Sequence, residues 1–238
     1  MSHEATVAEE EYLERIYWLE EAGLPLTAAN LARAMQLSAP TVHEMVRRLE
    51  HDGYIGRNAD KSLVFTENGR EEARHIVRRH RLVERFLTDV LGIPWDECHE
   101  EAERLEHAMS PVLEERMMAA IGDARTCPHG HPIGDAPREP GVPLGDVEQG
   151  ASVRVLRFEN EAEDILHYLM DVGLEPGLTG TVTARDDEDV TITATDGGHE
   201  HTLLRNVAET VSVAADPSPP PRVALPESLV LAKERYGR

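Results

Sequence analysis

The sequence is short of positive charge and of sulfur. Its 238 residues hold 24 Lys and Arg against 45 Asp and Glu, a formal net charge of −21. Charge of that sign speaks against nucleic-acid binding on bulk grounds, because phosphate contacts need local positive charge. Two readings soften the objection: the cations are gathered in one region, or some of the carboxylates are waiting for a cation. Lysine occurs only at Lys61 and Lys233, so any cationic patch is built of arginine. Cys98 and Cys127 are the only cysteines. Two thiols make no disulfide framework and fit a reducing compartment.

Other absences narrow the function classes. No stretch stays apolar for the roughly 18 residues that a membrane span needs. The opening MSHEATVAEE lacks a basic start followed by an apolar run, so no secretory signal is read there and a cytoplasmic location is expected, with no membrane partner. No internal repeat is visible. The stretch HEEAERLEH falls short of the zinc-protease pattern, since His99-Glu100 would need a histidine where Glu103 stands. With no nucleophile-and-base arrangement in view, an enzyme and a small organic substrate are not expected.

What is present divides into segments. A chain this long suits two or three small domains. From Glu9 to Glu21, Tyr12, Leu13, Ile16, Tyr17 and Leu19 recur at helical spacing until Gly23 and Pro25. Thr27 caps a short helix ending near Met35, and Ser38 starts another, with Pro40 in its first turn and Gly53 as its stop. Two short strands, around Ile55 and Val64, flank a polar turn and read as a hairpin. Helix, helix, turn, helix, hairpin is the order of a winged helix-turn-helix. Ser38, Pro40, Thr41, His43 and Glu44 then occupy the exposed start of the recognition helix, with Arg47, Arg48, Arg57 and Lys61 placed for phosphates. A long helix over 67–90 and another over about 96–121, interrupted at Pro111, follow.

The segment CPHGHPIGDAPREPGVPLGD is rich in Pro and Gly and reads as a linker. In that reading His129 and His131, with Cys127, form a turn rather than a metal knuckle, because no fourth ligand is evident nearby. His199 and His201 read as an exposed turn, and Cys98 as an inert buried thiol. Short strands and one helix between 152 and 213 suit a small β-barrel. The expected organisation is mainly α with small β: a winged helix-turn-helix over 1–74, a helical domain over 75–125, a linker over 126–146, a barrel over 147–214 and a tail over 215–238.

The strongest chemical signal is Glu103, Glu106 and His107, at i, i+3 and i+4 of one helix face. Glu11 and Glu14 form a similar pair on the first helix, His80 and Glu84 on the long helix, and His99 lies one turn before Glu103. For any one pair, a solvated acidic face is the better reading. Their joint occurrence suggests three helices converging on one cation.

At these residues the chain resembles the diphtheria toxin repressor family of metal-dependent regulators. The resemblance runs from about Glu9 to Val213 through EEYLERIYWLEE, LSAPTVHEMVRRLEHDGYI, RRHRLVERFLTDVLG, HEEAERLEHAMS, CPHGHPIG and a final SH3-like small barrel. It implies a homodimer that binds double-stranded, palindromic operator DNA and represses metal-uptake genes when metal is bound. In the manganese-responsive branch, which this chain looks like, the matching metal positions are Glu11, Glu14, His80, Glu103, Glu106 and His107. In the iron-responsive branch the position of Glu11 is Met and that of Glu103 is Cys, and neither sulfur is present here. An ancillary site is implied at His80, Glu84 and His99, with Glu159, Glu161 and Glu163 as candidates from the barrel. An oxygen-rich set with imidazole suits Mn²⁺, with Fe²⁺ as the alternative and Co²⁺ or Zn²⁺ as substitutes. Two other classes stay open at this point: a winged-helix regulator of a small organic ligand, and a metalloenzyme.

Overall fold

The structure, a computed structural model, describes residues 5–216. The tail expected from 215 onward lies, from 217, outside the described residues. Helix α1 (Val7–Glu21) opens with a reciprocal cap between Thr6 and Glu9 and buries Tyr12, Leu13, Ile16 and Leu19. Helix α2 (Ala28–Met35) is capped by Thr27. It ends on Gln36 in the left-handed region, φ 55°, which turns the chain sharply into α3 (Ala39–His51). Ser38 caps α3, and Val42, Val46 and Leu49 seat it on the rest of the domain. Strands β1 (Ile55–Arg57) and β2 (Leu63–Phe65) pair antiparallel, with Ile55 opposite Phe65. These elements share one apolar core and form the expected winged helix-turn-helix.

Helix α4 (Glu67–Asp89) starts hard against that hairpin. A β-carbon on Gly69 would lie 1.8 Å from the Tyr54 carbonyl oxygen, so only glycine allows the contact. The expected single helix near 96–121 is instead α5 (Cys98–Leu105), a 3₁₀ turn (Glu106–Ala108) and α6 (Pro111–Ala120). Pro111 cannot donate into a continuing helix and opens a new one, capped by Ser110. Leu82, Val83, Leu87, Cys98, Ala102, Met109, Met117 and Ile121 make the second core.

The third core lies under a six-stranded antiparallel sheet of SH3-like kind, in the order β3-β8-β4-β5-β6-β7. Its strands are β3 (Val142–Pro143), β4 (Ser152–Phe158), β5 (Thr179–Arg185), β6 (Asp189–Ala194), β7 (Glu200–Leu204) and β8 (Val211–Asp216). Helix α7 (Glu163–Asp171) and the short α8 (Arg205–Ala208) close it. The edge strand β3 and helix α8 are too short to leave a periodic signal, and the sequence reading passed over both.

The linker reading is corrected over its first eight residues. Cys127, Pro128, His129, His131, Pro132 and Ile133 are buried. Here the chain folds back on itself: Cys127 N–H donates to the His131 carbonyl at 2.8 Å and Gly130 N–H to the Cys127 carbonyl at 3.0 Å. Two arginines of α4 fix the turn from below. Arg85 donates to the carbonyls of Thr126 and Cys127, both at 2.8 Å, and Arg81 to that of Pro132 at 3.0 Å. Gly130 has φ +92°, and a β-carbon there would meet the Leu156 carbonyl oxygen at 2.0 Å. Pro and Gly thus mark a tight packed turn between the helices and the sheet. Among the described residues no helix is long and apolar enough to cross a membrane.

Candidate metal centre

Three elements aim ionisable side chains at one buried region. Helix α4 supplies His80 and Glu84, α1 supplies Glu14, and the 3₁₀ turn supplies Glu106; each is almost completely buried. His80 is the hub. Its Nδ1 stands 2.6 Å from Glu106 Oε2 and 3.7 Å from Glu14 Oε1. Its Nε2 stands 3.0 Å from Glu84 Oε1 and 3.1 Å from His99 Nδ1. The two histidine rings meet edge to face with centroids 4.7 Å apart. Trp18 packs on both, and the Arg15 guanidinium sits over the Trp18 ring at 4.6 Å.

Donor atoms gather in overlapping groups. Glu14, His80 and Glu106 form one, and His80, Glu84, His99 and Glu161 another; within each, the candidate ligand atoms lie within 4.8 Å of one another. The two groups share His80. Metal–ligand bonds of about 2.0–2.2 Å put neighbouring donors some 3 Å or a little more apart, so small movements would complete either shell. Glu14 Oε1, Glu106 Oε1 and Glu84 Oε2 are buried with no hydrogen-bond partner. Buried carboxylate oxygens left in that state are costly, and cations bound in the two groups would satisfy them.

The electrostatics carry the same mark. Burial pushes Glu14 up to about 8; nearby His80 opposes this and Glu106 reinforces it. Burial alone would lower His80, but the charges and hydrogen bonds of Glu84 and Glu106 hold it well above its ordinary value. Glu84 and Glu161 run the other way. Burial would raise each, and the neighbouring histidines hold both well below the usual carboxylate range. The histidines and the carboxylates thus stabilise one another's charged forms.

Of the six residues expected at the first site, Glu14, His80 and Glu106 converge. His107 lies beside them, with Nε2 3.2 Å from Glu106 Oε1. Glu103 sits at the mouth, paired with Arg15 at 3.3 Å and 3.6 Å from His99. Glu11 is exposed on the rim of a cleft of about 670 Å³ that opens onto the cluster. Its neighbour Glu10 turns inward instead and holds His107 Nδ1 at 2.7 Å. One step along a helix rotates a side chain by about 100°, so adjacent glutamates cannot share a face.

At the ancillary site His80, Glu84, His99 and Glu161 converge, and two candidates fall away. Glu159 is buried, but Arg138 at 2.6 Å, Arg157 at 2.8 Å and the Ser212 hydroxyl at 2.7 Å occupy it. Glu163, the first residue of α7, is exposed. The sequence reading also missed residues that the structure brings in. His129 is fully buried, with Nδ1 3.2 Å from Glu84 Oε1 and 3.7 Å from Glu161 Oε2. His131 reaches Glu161 Oε1 at 3.0 Å. Cys127, His129 and Glu161 form a further donor group within 4.8 Å, and Glu84, Cys98 and His129 another. The signal was in the Cys-x-His-x-His spacing, whose further ligands, Glu84 and Glu161, lie far away in sequence.

At the other end of the molecule, Ser38, Pro40, Thr41, His43, Glu44 and Arg47 are all exposed on α3. Ser38 is also a helix cap, bonded to Thr41 through both its backbone N–H at 3.3 Å and its hydroxyl at 2.7 Å. Arg48 Nε is 2.9 Å from Glu9 Oε1 and 3.6 Å from Asp52, and Arg57 pairs with Glu50 at 2.6 Å. Lys61 is exposed at the tip of the hairpin with φ 68°.

Three family models match successive parts of the chain. Residues 5–63 match the family described as iron dependent repressor, N-terminal DNA binding domain. Residues 66–135 match iron dependent repressor, metal binding and dimerisation domain, and residues 142–215 match the FeoA domain. The chain is 37% identical over 222 residues to the iron-dependent repressor IdeR of Mycobacterium bovis, covering 86% of this chain and 95% of that protein. It is 33% identical over 219 residues to the diphtheria toxin repressor of Corynebacterium diphtheriae, with the same coverage of 86% and 95%. Among solved structures, a manganese-dependent transcriptional repressor in complex with manganese superimposes with a TM-score of 0.80 at 31% identity, over 87% of this chain and 99% of that one. The manganese regulator SloR superimposes with a TM-score of 0.71 at 29% identity, over 87% and 97%.

Proposed function

The chain belongs to the diphtheria toxin repressor family of metal-dependent DNA-binding regulators, and from that premise we propose that it is a Mn²⁺-responsive repressor of metal-uptake genes, with Fe²⁺ as the alternative ion. Members of this family are transcriptional repressors rather than enzymes, and their dimerisation and DNA-binding domains are both present here. DNA as the target is consistent with work in the cytoplasm. The observation that carries the metal reading is the buried meeting of Glu14, Glu106 and His80, with carboxylate oxygens that no hydrogen bond among the described residues satisfies.

The ligand set supports the choice of ion. Carboxylate and imidazole favour Mn²⁺ and Fe²⁺ over softer ions, and Glu11 and Glu103 replace the two sulfur-bearing positions of the iron branch. The curated relatives are named for iron and the manganese-bound structure for manganese, and the oxygen-rich donor set of this chain supports manganese. Glu14, Glu106, His107 and Glu10 line the first site, and His80, Glu84, His99 and Glu161 the ancillary one.

A bound divalent cation supplies the positive charge that lets Glu14 and Glu106 stay ionised side by side. The rest is the work of the chain. Glu14 ties α1 to α4 and the 3₁₀ turn, while Glu9, one to two turns earlier on α1, grips Arg48 of the recognition helix. Where α1 sits therefore decides where α3 stands. In the homodimer the two α3 helices must enter successive major grooves about 34 Å apart, or a multiple of that, on a palindromic operator. The site need only favour the DNA-competent arrangement over the loose one. Ser38, Pro40, Thr41, His43 and Glu44 then face base edges. Arg47 and Lys61 face phosphates, Arg48 reaches them with its outer nitrogens while its Nε keeps Glu9, and Arg57 exchanges Glu50 for the backbone.

The test is operator binding titrated in parallel with Mn²⁺, Fe²⁺, Co²⁺ and Zn²⁺ after chelation. Mn²⁺ is expected to tighten binding at least about tenfold in the wild type, corresponding to roughly 1.4 kcal/mol of coupling. Glu14→Gln and Glu106→Gln should lose that gain. Variants that bind operator equally well with and without Mn²⁺, yet as tightly as the metal-loaded wild type, would overturn the reading.

A further inference from the structure

A second cavity, of about 450 Å³, lies where the end of α4 and the turn after α6 meet β4 and the loop after α7. None of the histidines or carboxylates of the metal cluster lines it. In a chain with a net charge of −21 its walls are cationic: Arg85, Arg138, Arg154 and Arg157 stand there against Glu139 and Glu175. We propose that this cavity is a binding site for a small, multiply charged oxyanion, a polycarboxylate or a phosphate compound, which Arg154 and Arg157 hold as a pair.

The pair exists because β4 is irregular. Side chains alternate along a strand, so residues three apart ordinarily point to opposite faces. The register of β4 against β8 shifts between Val155, opposite Val213, and Arg157, opposite Ser212. The extra residue brings Arg154 and Arg157 to the outer face together, while Val153, Val155 and Phe158 stay in the core. Both arginines then reach one residue. Arg154 Nη2 donates to Glu139 Oε1 at 2.6 Å, and Arg157 Nη1 donates to the Glu139 carbonyl at 2.8 Å.

The charge beside the cavity is unbalanced. Arg157 is 6% exposed, and its carboxylate partner, Glu159, also serves Arg138. Glu21, 3.6 Å from Arg138, is committed to Arg81. Three guanidiniums therefore share two carboxylates. Burial pushes Arg157 below its ordinary value; Glu159 opposes this and Arg138 adds to it. A buried cation short of counter-charge is costly, and an anion in the cavity supplies what is missing.

Glu139 marks where such an anion would sit. Its side chain is 51% exposed and that of Arg154 45%, and an ion pair this open is weak and exchanges readily. A carboxylate or phosphate of the ligand offers Arg154 the same forked oxygens and can take the place of the Glu139 carboxylate. Arg85 is tied to the carbonyls of Thr126 and Cys127 and contributes charge rather than contact. Trp95 and Pro176 give the cavity an apolar wall, which suits the carbon body of an organic anion.

Calorimetric titration of the metal-free, full-length protein, freed of chelator and held at constant ionic strength with chloride, tests this with two probes, inorganic phosphate and tricarballylate. Saturable binding to the wild type is expected. Arg154→Gln, a change at a half-exposed side chain, should weaken it at least about tenfold. Glu139→Gln removes the internal competitor and should tighten it about threefold. Arg104→Gln takes the same charge from an exposed position on α5 outside the cavity and should bind as the wild type does. Both probes test the shared chemistry, and the tighter one tells a phosphate compound from a polycarboxylate. Three results overturn the proposal: no saturable binding of either probe, an Arg154→Gln protein that binds no more weakly than Arg104→Gln, or a Glu139→Gln protein that binds no more tightly than the wild type.

Discussion

Glu14 and His80 show how a single side chain records the need for a cation. Glu14 is a glutamate that burial holds up to about 8, and His80 is an imidazole that its acidic neighbours hold well above its ordinary value. The direction of the stability change follows. Glu14 loses its proton near 4.5 in the unfolded chain and near 8 in the folded one, so folded-state stability falls as pH rises across that interval. His80 adds the same sign, being fully stabilising below its unfolded value and less so as pH climbs through its raised one. Glu84 and Glu161, held low, act only on the acid side of that interval. The metal-free protein in chelator should therefore melt at steadily lower temperature from pH 4.5 to 8, and Glu14→Gln should flatten the slope. A melting temperature that climbs with pH over this range would contradict the assignment.

At the scale of elements, the turn over Cys127–Ile133 joins the helices to the sheet. Gly130 and Gly150 share φ +92°, but a β-carbon on Gly130 would strike Leu156 and Arg157, while one on Gly150 would meet nothing within 4 Å. Gly130→Ala is expected to cost at least about 2 kcal/mol more than Gly150→Ala, since only the former adds a backbone collision to the strain of its φ. Denaturant unfolding of the two variants makes the comparison. This turn is also where the sequence was least legible. Helical spacing over Glu9–Glu21 and 67–90 was clear because one face of each helix is apolar, and the caps Thr27, Ser38 and Ser110 are local signals. The burial of His129 and His131 is not local. It arises because Arg81 and Arg85, some forty to fifty residues earlier, bind the carbonyls of a Pro- and Gly-rich stretch that by composition alone resembles a flexible connector. The same limit applied to acidic runs. Glu10 and Glu11 are chemically equal in the sequence, and only the seating of α1 on α4 turns the former inward. Of Glu159, Glu161 and Glu163, arginines claim the first, solvent takes the last, and the loop between β4 and α7 aims the middle one at the histidines.

At the scale of the molecule, the apolar surface is unevenly spread. Among the described residues, Val90, Leu91, Leu105, Val112 and Leu113 are five of the nine exposed large apolar side chains, and all five lie in the helical domain. Two copies meeting there would remove that surface from water, consistent with the dimerisation domain this segment matches. Leu91→Asp and Val112→Asp should each shift the protein toward monomer in light scattering. Operator binding should weaken together with dimerisation, because one recognition helix then binds without its mate. A variant that stays dimeric and keeps full affinity would place the subunit contact elsewhere. The helices and their order were legible here, but the packing of the sheet against the metal cluster was not, since it depends on single residues such as Glu161.

Trp18 packs edge-on against His80, with ring centroids 5.2 Å apart, and Trp95 against His129, at 6.0 Å. These are the only indoles in the chain. The molecule thus carries its own pair of lamps, one beside His80 and one beside His129. Ultraviolet emission of Trp18→Phe and Trp95→Phe proteins should reveal which end of the cluster fills first as Mn²⁺ is added: paramagnetic quenching through Trp18 before Trp95 is the expected sequence.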